Sequence, residues 1–448
     1  MTDTMSKKLY LVSLGCSKNL VDSEVMLGLL EKDGYAVTQE PEDAGLLLIN
    51  TCGFIGSAVK EAIDEILELS RYKKADPTKK LVVTGCLVQR YGTELEKELP
   101  EVDLFIGTNG FHNIVDQLYG KKVPVPLAHS LEQAPFLMDS SMPRKVSTPS
   151  HRAYMKITEG CINRCSYCLI PDIRGKLRSR TISDLTTEAR RLDAGGVKEL
   201  TLVAQDLLAY GLDLKKQTTL IVLLKQILAQ TDIPWIRLLY LHPARVKKEL
   251  LLLMAANPRL VPYLDIPFQH VSDHILHLMN RPYTKIQLIQ LMDTIHRILP
   301  LAALRTTMMV GFPGETDYDV AEMADFLQEH HFDHLGVFAY ANEEGCRAAS
   351  LPDQIMEETK EKRLRKIMEL QADISFAALQ KHVGALEQVL VEGLSSESDL
   401  LLEGRTRYQA PEIDGCVYIT RGTVEPGALV NVTITEAHTY DLVGEIKE

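Results

Sequence analysis

Three cysteines lie within eight residues near the middle of the chain, at Cys161, Cys165 and Cys168. A structural zinc site is closed by four ligands, and no fourth Cys or His follows at a short spacing. A four-iron cluster instead offers a ligand position on each of its irons. Three thiolates would therefore hold such a cluster and leave one iron open to a molecule that is not protein. The alternative interpretation is three buried cysteines that happen to fall close together.

The residues around this motif resemble those of the radical S-adenosylmethionine (SAM) enzymes and, among them, the methylthiotransferases. The resemblance rests on residues 159–168, 170–171, 174–175 and 179–180. It implies that the open iron of a 4Fe-4S cluster binds SAM through its amino and carboxylate groups, and that an electron from the reduced cluster cleaves the sulfonium. The resulting deoxyadenosyl radical abstracts hydrogen from an unactivated C–H bond, and the protein supplies orientation. The resemblance also implies that Tyr167 lies in the SAM pocket with its backbone near the adenine; the alternative for its side chain is packing in the core.

Strands and helices alternate in the first third of the chain. Three apolar runs are predicted as strands, at residues 8–14, 46–50 and 80–84. Two segments with apolar residues at a 3.6-residue period are predicted as helices, at residues 22–32 and 57–69. Because strand and helix alternate, we predict an α/β domain with a parallel sheet of the Rossmann or flavodoxin type.

A cysteine follows each of these three predicted strands: Cys16, Cys52 and Cys86. Because the carboxyl ends of parallel strands lie on one edge of a sheet, we expect the three thiols to converge. They would then hold a second iron–sulfur cluster, again with one iron open. The alternative is that small residues commonly follow strands and some of them are Cys. Residues 15–19, 22–24, 50–54 and 84–86 resemble the N-terminal domain of the methylthiotransferases, which implies the cluster.

Six strand–helix repeats are predicted in the middle of the chain. The strands are expected at residues 153–157, 199–204, 235–239, 264–268, 303–310 and 334–338. Helices are expected at residues 182–194, 220–229, 247–256, 286–298 and 319–329, and a further one is expected to run to about residue 379. Six parallel strands with outer helices predict a partial (β/α)6 barrel of the TIM type, as the resemblance also implies. Functional groups belong at the carboxyl ends of its strands.

Several polar residues follow these predicted strands and are candidates for the SAM or substrate pocket. They are Gln205, Asp206, His242, His270 and residues 311–316. Gln205 is assigned to the SAM pocket, whereas for each histidine the structural alternative, a hydrogen-bonded residue, is favoured. Arg174 and Arg180 are expected either to meet a carboxylate of SAM or substrate or to lie solvated on the surface. Cys346 and Cys416 have no ligand spacing and are assigned no metal.

The last 70 residues read as a small all-β barrel. Strands are expected at residues 387–391, 399–403, 417–419 and 429–435, and the segment resembles the TRAM domain, an OB-like module. Residues 379–448 hold five Lys and Arg against twelve Asp and Glu, a net charge of −7. An RNA-binding domain needs cations to displace counterions from phosphate. The domain therefore suits a basic protein partner, and direct binding of nucleic acid is not expected.

The chain most resembles the branch of the family that modifies an aspartate in small-subunit ribosomal protein twelve. Residues 15–24 (GCSKNLVDSE) and 410–415 (APEIDG) carry this resemblance. It implies addition of a methylthio group to the β-carbon of that aspartate, two 4Fe-4S clusters, SAM, and an electron donor such as a flavodoxin. It does not identify the sulfur donor. Two alternatives stay open: the same chemistry on a tRNA adenosine, and an iron–sulfur redox scaffold without radical chemistry.

Length and composition set further bounds. A chain of 448 residues is expected to form several domains, which we place at residues 1–145, 146–378 and 379–448. Five prolines between residues 120 and 150 predict a linker or a strap between domains. The net charge of −12 argues against a mainly electrostatic hold on nucleic acid. Because no apolar run approaches the roughly 18 residues that span a bilayer, we expect a cytoplasmic protein whose cysteines are thiols or metal ligands.

Overall fold

The computed structural model describes residues 7–121, 136–214 and 218–447. By backbone proximity the chain divides into two compact units. The first comprises Met1–Ser147, Lys156–Asn163 and Cys168–Glu188, and the second comprises Thr148–Met155, Arg164–Tyr167 and Ala189–Glu448. Segments on either side of the central cysteine motif therefore group with the N-terminal sheet.

The first unit contains the predicted parallel sheet, with two more strands than the sequence predicts. Its strands are β1 (Lys8–Ser13), β2 (Ala36–Val37), β3 (Leu46–Thr51), β4 (Lys80–Gly85) and β5 (Leu104–Gly107). Its helices are α1 (Ser17–Lys32), α2 (Gly56–Ala75), α3 (Cys86–Tyr91), α4 (Thr93–Glu98) and α5 (Ile114–Leu118). The strand order is β2-β1-β3-β4-β5, and every neighbouring pair is parallel. The order reverses between β1 and β3, which is where ligands bind in open sheets of this kind.

Strand β3 forms the centre of this sheet because its sequence, LLLINT, is apolar along most of its length. All six of its residues are buried, as expected for a parallel sheet covered on both faces. Ala62, Ile66 and Leu69 of α2 belong to the hydrophobic core that covers one face. The sheet is therefore a rigid support for the loops at its carboxyl edge.

Short elements surround the central cysteine motif. They are β6 (Arg152–Lys156), β7 (Thr158–Glu159), α6 (Ile170–Arg174), β8 (Arg178–Ser179) and α7 (Ile182–Ala194). Strands β7 and β8 pair antiparallel, so the chain leaves β6, passes through the cysteine loop and returns. The predicted bounds of α7 are confirmed.

All six predicted barrel strands are present. Those that follow β6 are β9 (Glu199–Val203), β10 (Trp235–Leu238), β11 (Tyr263–Asp265), β12 (Ala303–Val310) and β13 (His334–Ala339). The helices are α8 (Leu220–Gln230), α9 (Lys248–Ala256), α10 (Asp273–Leu278), α11 (Lys285–Ile298), α12 (Asp317–His330) and α13 (Glu357–Gln380). The strands form two three-stranded sheets, β10-β9-β6 and β11-β12-β13, and a parallel bridge joins Ile236 to Leu260 just before β11. No pairing between β6 and β13 is found among the described residues, so the barrel is partial, as predicted.

The C-terminal segment is a closed five-stranded barrel. Its strands are β14 (Leu386–Leu394), β15 (Leu402–Thr406), β16 (Val417–Arg421), β17 (Leu429–Ala437) and β18 (Leu442–Ile446). The sequence pattern predicts the first four and misses β18, because Gly444 and Glu445 interrupt its apolar residues. Val389, Val391, Val417 and Val432 form the fully buried centre of this barrel.

This C-terminal barrel packs against the amino-terminal halves of the six barrel strands. Glu199 of β9 bonds Arg405, and Tyr263 of β11 donates to Asp414 at 2.7 Å. Contacts of the same kind come from Arg152, Trp235, Arg305 and His334 on the other four strands. The carboxyl edge of the barrel, where functional groups are expected, is therefore the opposite edge.

Residues 120–150 are predicted as a linker or a strap, and Pro124, Pro126 and Pro135 lie outside the described residues. In the described part, Arg144 is buried between Glu24 of α1 at 2.6 Å and Glu188 of α7 at 2.5 Å. This part is therefore fixed onto the first unit. No helix among the described residues is long and apolar enough to cross a membrane.

Candidate functional site

The structure places Cys16, Cys52 and Cys86 at the carboxyl edge of the N-terminal sheet. Cys16 is the N-cap residue of α1, in the short turn that follows β1. Cys52 follows β3, and Cys86 is the first residue of α3 after β4. Because β1 and β3 flank the point where the strand order reverses, Cys16 and Cys52 lie on the two sides of the crevice that this topology creates.

Two glycines let these cysteine loops approach one another. Gly15 has φ +91°, and a Cβ added to it would lie 3.0 Å from Cβ of Cys52. A Cβ on Gly53 would lie 2.9 Å from the carbonyl carbon of Cys86 and closer still to the backbone of Leu87. Larger side chains at either position would push the loops apart. The Gly-Cys and Cys-Gly pairs of the sequence thus have a physical reason, which is close packing of backbone around the three thiols.

Asn19 and Asn50 brace this edge of the sheet. The side-chain nitrogen of Asn19 donates to the carbonyl of Leu14 at 3.1 Å and to that of Thr51 at 2.9 Å, which ties the ends of β1 and β3 together. Asn50 donates to the carbonyl of Asn19 and to the hydroxyl of Ser23, both at 2.9 Å. The turns that carry Cys16 and Cys52 are therefore held by buried hydrogen bonds rather than by chain connectivity alone.

The most unexpected member of this site is Arg174, which sequence reasoning places either on the surface or at a ligand carboxylate. Its guanidinium is buried and donates to Sγ of Cys86 at 3.4 Å. It also pairs with Asp22 at 2.9 Å and with Glu159 at 3.2 Å. Lys156 joins the same two carboxylates, at 2.7 Å from Glu159. The outcome is a buried network of two cations and two anions beside a cysteine.

The three thiols differ in pKa because their electrostatic surroundings differ. Desolvation acts to raise the pKa of Cys16, but the cations of Lys18 and Arg174 outweigh it and the pKa lies below its usual value, although part of the side chain is exposed. Burial raises the pKa of Cys86 to about 11 and also raises that of Cys52. The charge of Cys16 raises the pKa of Cys52, and the charges of Cys16 and Cys52 raise that of Cys86, so all three would release protons together only on binding a cation.

The three cysteines of the central motif are divided between the two compact units. Cys161 and Cys168 belong to the first unit and Cys165 to the second. The backbone N–H of Cys161 donates to the carbonyl of Gly175 at 3.1 Å. Arg281 donates from Nη1 to Sγ of Cys165 at 3.4 Å. Their joint ligation of one cluster stays a prediction from their spacing.

The loop that carries Cys165 is fixed within the second unit by its neighbour Ser166. The N–H of Ser166 donates to the carbonyl of Met279 at 3.1 Å, and its hydroxyl donates to the carbonyl of Leu278 at 2.8 Å. Tyr167 packs edge-on against Phe312, with 6.4 Å between the ring centroids. The side chain of Tyr167 is therefore partly in an apolar cluster, and its assignment to the SAM pocket stays a prediction.

His242 is buried at the carboxyl edge of the barrel, where it follows β10 and is 6% exposed. Neither of its ring nitrogens has a hydrogen-bond partner among the described residues. Its ring lies edge-on to Tyr283 with 5.8 Å between the centroids. Burial, and then the charges of Arg281 and Arg245, lower the pKa of His242 to about 2, so the imidazole is neutral. A buried imidazole without a partner is costly, which points to a ligand-binding role.

His270 and Glu315, in contrast, form part of the structural frame. The N–H of Ser272 donates to Nδ1 of His270 at 3.0 Å, and the other ring nitrogen lies 3.4 Å from Glu315. Glu315 accepts from the backbone of Gly311 at 2.8 Å and from Arg363 of α13 at 2.9 Å. Residues 311–316 are therefore held from outside the barrel by its last helix.

The remaining sequence candidates take varied positions. Gln205 is partly buried directly after β9, and its neighbour Asp206 pairs with Arg245 at 2.5 Å. Arg180 is buried and pairs with two carboxylates of α7, so it is neither a surface residue nor directed at a ligand. Cys346 is buried, and Cys416 lies beside Tyr418 in the C-terminal barrel. Among the described residues, no group of three His, Cys, Asp or Glu forms a site for a single metal ion.

The first unit thus offers an edge with three thiols, and the second offers a partial barrel with a thiol and a neutral imidazole. Residues 8–107 match the uncharacterized protein family UPF0004, residues 155–327 match the Radical SAM superfamily, and residues 383–446 match the TRAM domain. A solved structure of the radical SAM methyltransferase TsrM from Kitasatospora setae shares the fold at a TM-score of 0.53 and 17% identity, over 74% of this chain and 73% of that chain. The fold and the matched domains define a radical SAM protein.

Several relatives match at least 98% of this chain. The ribosomal protein uS12 methylthiotransferase RimO of Desulfotalea psychrophila is 54% identical over 440 residues, which cover 98% of this chain and 99% of the relative. The ribosomal protein uS12 methylthiotransferase RimO of Pelobacter propionicus is 46% identical over 448 residues, which cover 100% of both. This chain belongs to the ribosomal protein uS12 methylthiotransferase family.

Proposed function

We propose that this protein adds a methylthio group to the β-carbon of an aspartate in ribosomal protein uS12, with two 4Fe-4S clusters and SAM as cofactors. The observation that carries the proposal is the packing of the Cys16, Cys52 and Cys86 loops at the switch edge of the sheet. A chain that only generated a radical would need one cluster, whereas sulfur insertion needs a second site. The family to which the chain belongs supports the same reaction.

The donor sets fit these cofactors. When bound, the clusters and SAM supply the radical, the sulfur-transfer site and the methyl group. Cys161, Cys165 and Cys168 would hold the cluster that binds SAM. The N-terminal trio would hold the second cluster, and the tight packing at Gly15 and Gly53 keeps its three loops close together. Each set supplies three thiolates for four irons.

We assign the SAM and substrate pocket to the carboxyl edge of the barrel. Tyr167 and Gln205 are proposed to line it, as expected from the sequence. His242 is added because its two ring nitrogens can donate one hydrogen bond and accept another without losing a protein partner. The chain's own part in the reaction is then to hold the reacting atoms in place and to exclude water from them.

The basic substrate protein is proposed to contact the acidic C-terminal barrel. Two of the five cations counted there, Arg405 and Arg407, are bonded to residues of the larger barrel and do not serve an outer surface. Exposed acidic residues such as Glu397 and Glu425 remain. This distribution suits a cationic protein and disfavours phosphate. An electron donor such as a flavodoxin and a cytoplasmic location belong to the same proposal.

The position of the C-terminal barrel limits how the substrate is held. The C-terminal barrel contacts the amino ends of strands such as β6, β9 and β12, which are five to eight residues long. At a rise of about 3.3 Å per residue, roughly 20 Å separates the C-terminal barrel from the carboxyl edge of these strands. Only a macromolecule can reach both places, so the C-terminal barrel is proposed to dock the substrate protein and the carboxyl edge to receive its aspartate. We also propose the division of the chain into domains at residues 145 and 378.

The test is anaerobic incubation of the reconstituted enzyme with uS12, SAM, reductant and a sulfide source, followed by peptide mass mapping. We expect one aspartate-containing peptide to gain the mass of a methylthio group that replaces one hydrogen. A parallel incubation with tRNA tests the alternative substrate. Modified adenosine together with unmodified uS12 would contradict the proposal and identify tRNA as the substrate. Failure to cleave SAM with both clusters loaded would favour an iron–sulfur scaffold.

A further inference from the structure

Two arginines each donate a hydrogen bond to a cysteine of a different predicted cluster. Arg174 donates to Sγ of Cys86 and Arg281 donates to Sγ of Cys165, and both distances are 3.4 Å. The contacts are far from local, since 88 residues separate the first pair and 116 separate the second. Hydrogen bonds to ligand sulfurs and nearby charges are among the factors that set the reduction potential of iron–sulfur clusters.

The surroundings of Arg281 leave its charge uncompensated. Its Nε donates to the hydroxyl of Tyr283 at 2.5 Å, and its Nη2 donates to the carbonyl of Pro267 at 2.9 Å. Both acceptors are neutral, and no carboxylate of the described residues pairs with it. His242, edge-on to Tyr283, is neutral as well. A full positive charge therefore faces Sγ of Cys165.

The surroundings of Arg174 are different. It pairs with Asp22 and Glu159, and Lys156 shares both carboxylates. Two positive and two negative charges thus balance within this network, so the charge of Arg174 is compensated by carboxylates within hydrogen-bond distance, unlike that of Arg281. The hydrogen bond from Arg174 still orients Cys86, because several partners hold the guanidinium of Arg174 in place.

From this asymmetry we infer that Arg281 raises the reduction potential of the cluster that Cys165 binds, and that Arg174 orients Cys86 without a comparable effect. Reduction adds one negative charge to a cluster, and an uncompensated cation at hydrogen-bond distance from a ligand sulfur stabilises that state. Arg281 is a positioning residue, because it acts through Cys165 rather than on the reacting atoms. Its effect would ease entry of the electron that starts the reaction. The inference rests on the proposed function only in that Cys165 is a cluster ligand.

The first test uses the full-length chain with Cys16, Cys52 and Cys86 replaced by Ala, which leaves one cluster. Arginine labelled with 15N in the guanidinium is incorporated, and the reduced cluster is studied by pulsed electron paramagnetic resonance (EPR). We expect a 15N coupling from a guanidinium nitrogen. Its absence from a fully loaded and reduced cluster would overturn the inference without any substitution at Arg281.

The second test is an EPR-monitored redox titration of Arg281→Lys, Arg281→Gln and Arg281→Met in the same background. At the potential where the parent is half reduced, R281Q and R281M are expected to be less than half reduced, whereas R281K, which keeps the charge, is expected to stay near the parent. Arg297→Met, the same substitution at an exposed position of α11, is the matched control and should not shift. An R281K shift as large as that of R281M would contradict the role of charge.

Iron analysis distinguishes a failure of the proposed function from a failure of the role of Arg281. If the background chain binds no cluster, Cys165 is not a ligand and the proposed function itself fails. If the cluster is loaded and cleaves SAM but R281M titrates like the parent, only the role of Arg281 fails. Should R281M fail to bind iron, R281K and the 15N coupling still decide the question.

Discussion

Replacement of Glu199 by Gln should release the C-terminal barrel from the larger barrel. Glu199 is 1% exposed and lies between two arginines, Arg237 at 2.5 Å and Arg405 at 2.6 Å. Both cations lower the pKa of Glu199 against the effect of burial. The amide of Gln keeps the shape of the side chain but removes the negative charge and turns one acceptor into a donor that faces a guanidinium.

The expected loss in the free energy of unfolding follows from the contacts of Glu199 with Arg237 and Arg405. Each hydrogen bond to a charged group contributes about 1.5–3 kcal/mol. Loss of one partner from a buried ion pair costs about 3–5 kcal/mol, because the remaining charge is left uncompensated. Arg405 retains the carboxylate of Glu392. Arg237 retains the carbonyl of Arg407 at 3.2 Å and the ring of Tyr263, but no other carboxylate among the described residues. We therefore expect Glu199→Gln to lower the free energy of unfolding by about 3–5 kcal/mol.

Trp235 provides the assay. It is the single tryptophan of the chain, it is 1% exposed, and its indole nitrogen donates to Gln388 of the C-terminal barrel at 3.3 Å. Its fluorescence in a urea titration of the cluster-free protein reports on this interface. Glu249→Gln, at an exposed position of α9, is the matched control and should leave the midpoint unchanged.

A double variant completes the test. Replacement of both Glu199 and Arg237 by Leu removes one buried charge of each sign and leaves Arg405 paired with Glu392. It should recover most of the lost stability, since hydrophobic replacement of a buried ion pair is often neutral or stabilising. A Glu199→Gln midpoint equal to that of the parent would refute the reasoning, as would a double variant no more stable than the single one.

Three further predictions concern other parts of the molecule. His242→Phe should raise the thermal midpoint of the unliganded protein, because it removes buried nitrogens that have no protein partner among the described residues. The same substitution should weaken the binding of SAM or substrate in calorimetry. A lower midpoint with unchanged binding would make His242 purely structural. Gly15→Ala should reduce iron per chain from about eight to about four, since its Cβ would meet Cys52 at 3.0 Å and its φ is +91°; full iron content would contradict this. Hydrogen bonding from His151 and the charges of two arginines lower the pKa of Glu392 to about 2 against the effect of burial. Its contribution to stability is therefore complete above about pH 4.3 and lost as the pH falls towards 2, and Glu392→Gln should flatten this part of the pH–stability curve.

The strand–helix alternation and the cysteine positions were predictable because their signals are local. The apolar run of β3 and the cysteines after β1, β3 and β4 can be read directly, and parallel topology then brings the cysteines to one edge. Strand β2 was not predictable, because its two residues, Ala36 and Val37, are both exposed and lack a pattern. Helix α1 begins at Ser17, five residues before the predicted start, because its first turn is polar.

The environment of the thiols could not be predicted, since it depends on contacts between distant parts of the chain. Arg174 meets Asp22 across 152 residues of sequence, and neither has a neighbour that signals the other. The sequence alone offered Arg174 only a surface position or a ligand. Burial of a guanidinium among carboxylates follows from the fold of the first unit rather than from any short motif.

We expect this chain to hold two four-iron clusters, each on three cysteines. Iron and acid-labile sulfide per chain, measured after anaerobic reconstitution, test this most directly. We expect about eight irons in the parent chain and about four after Ala replaces either Cys16, Cys52 and Cys86 or Cys161, Cys165 and Cys168. About four irons in the parent, or no loss of iron on removal of the N-terminal trio, would contradict it.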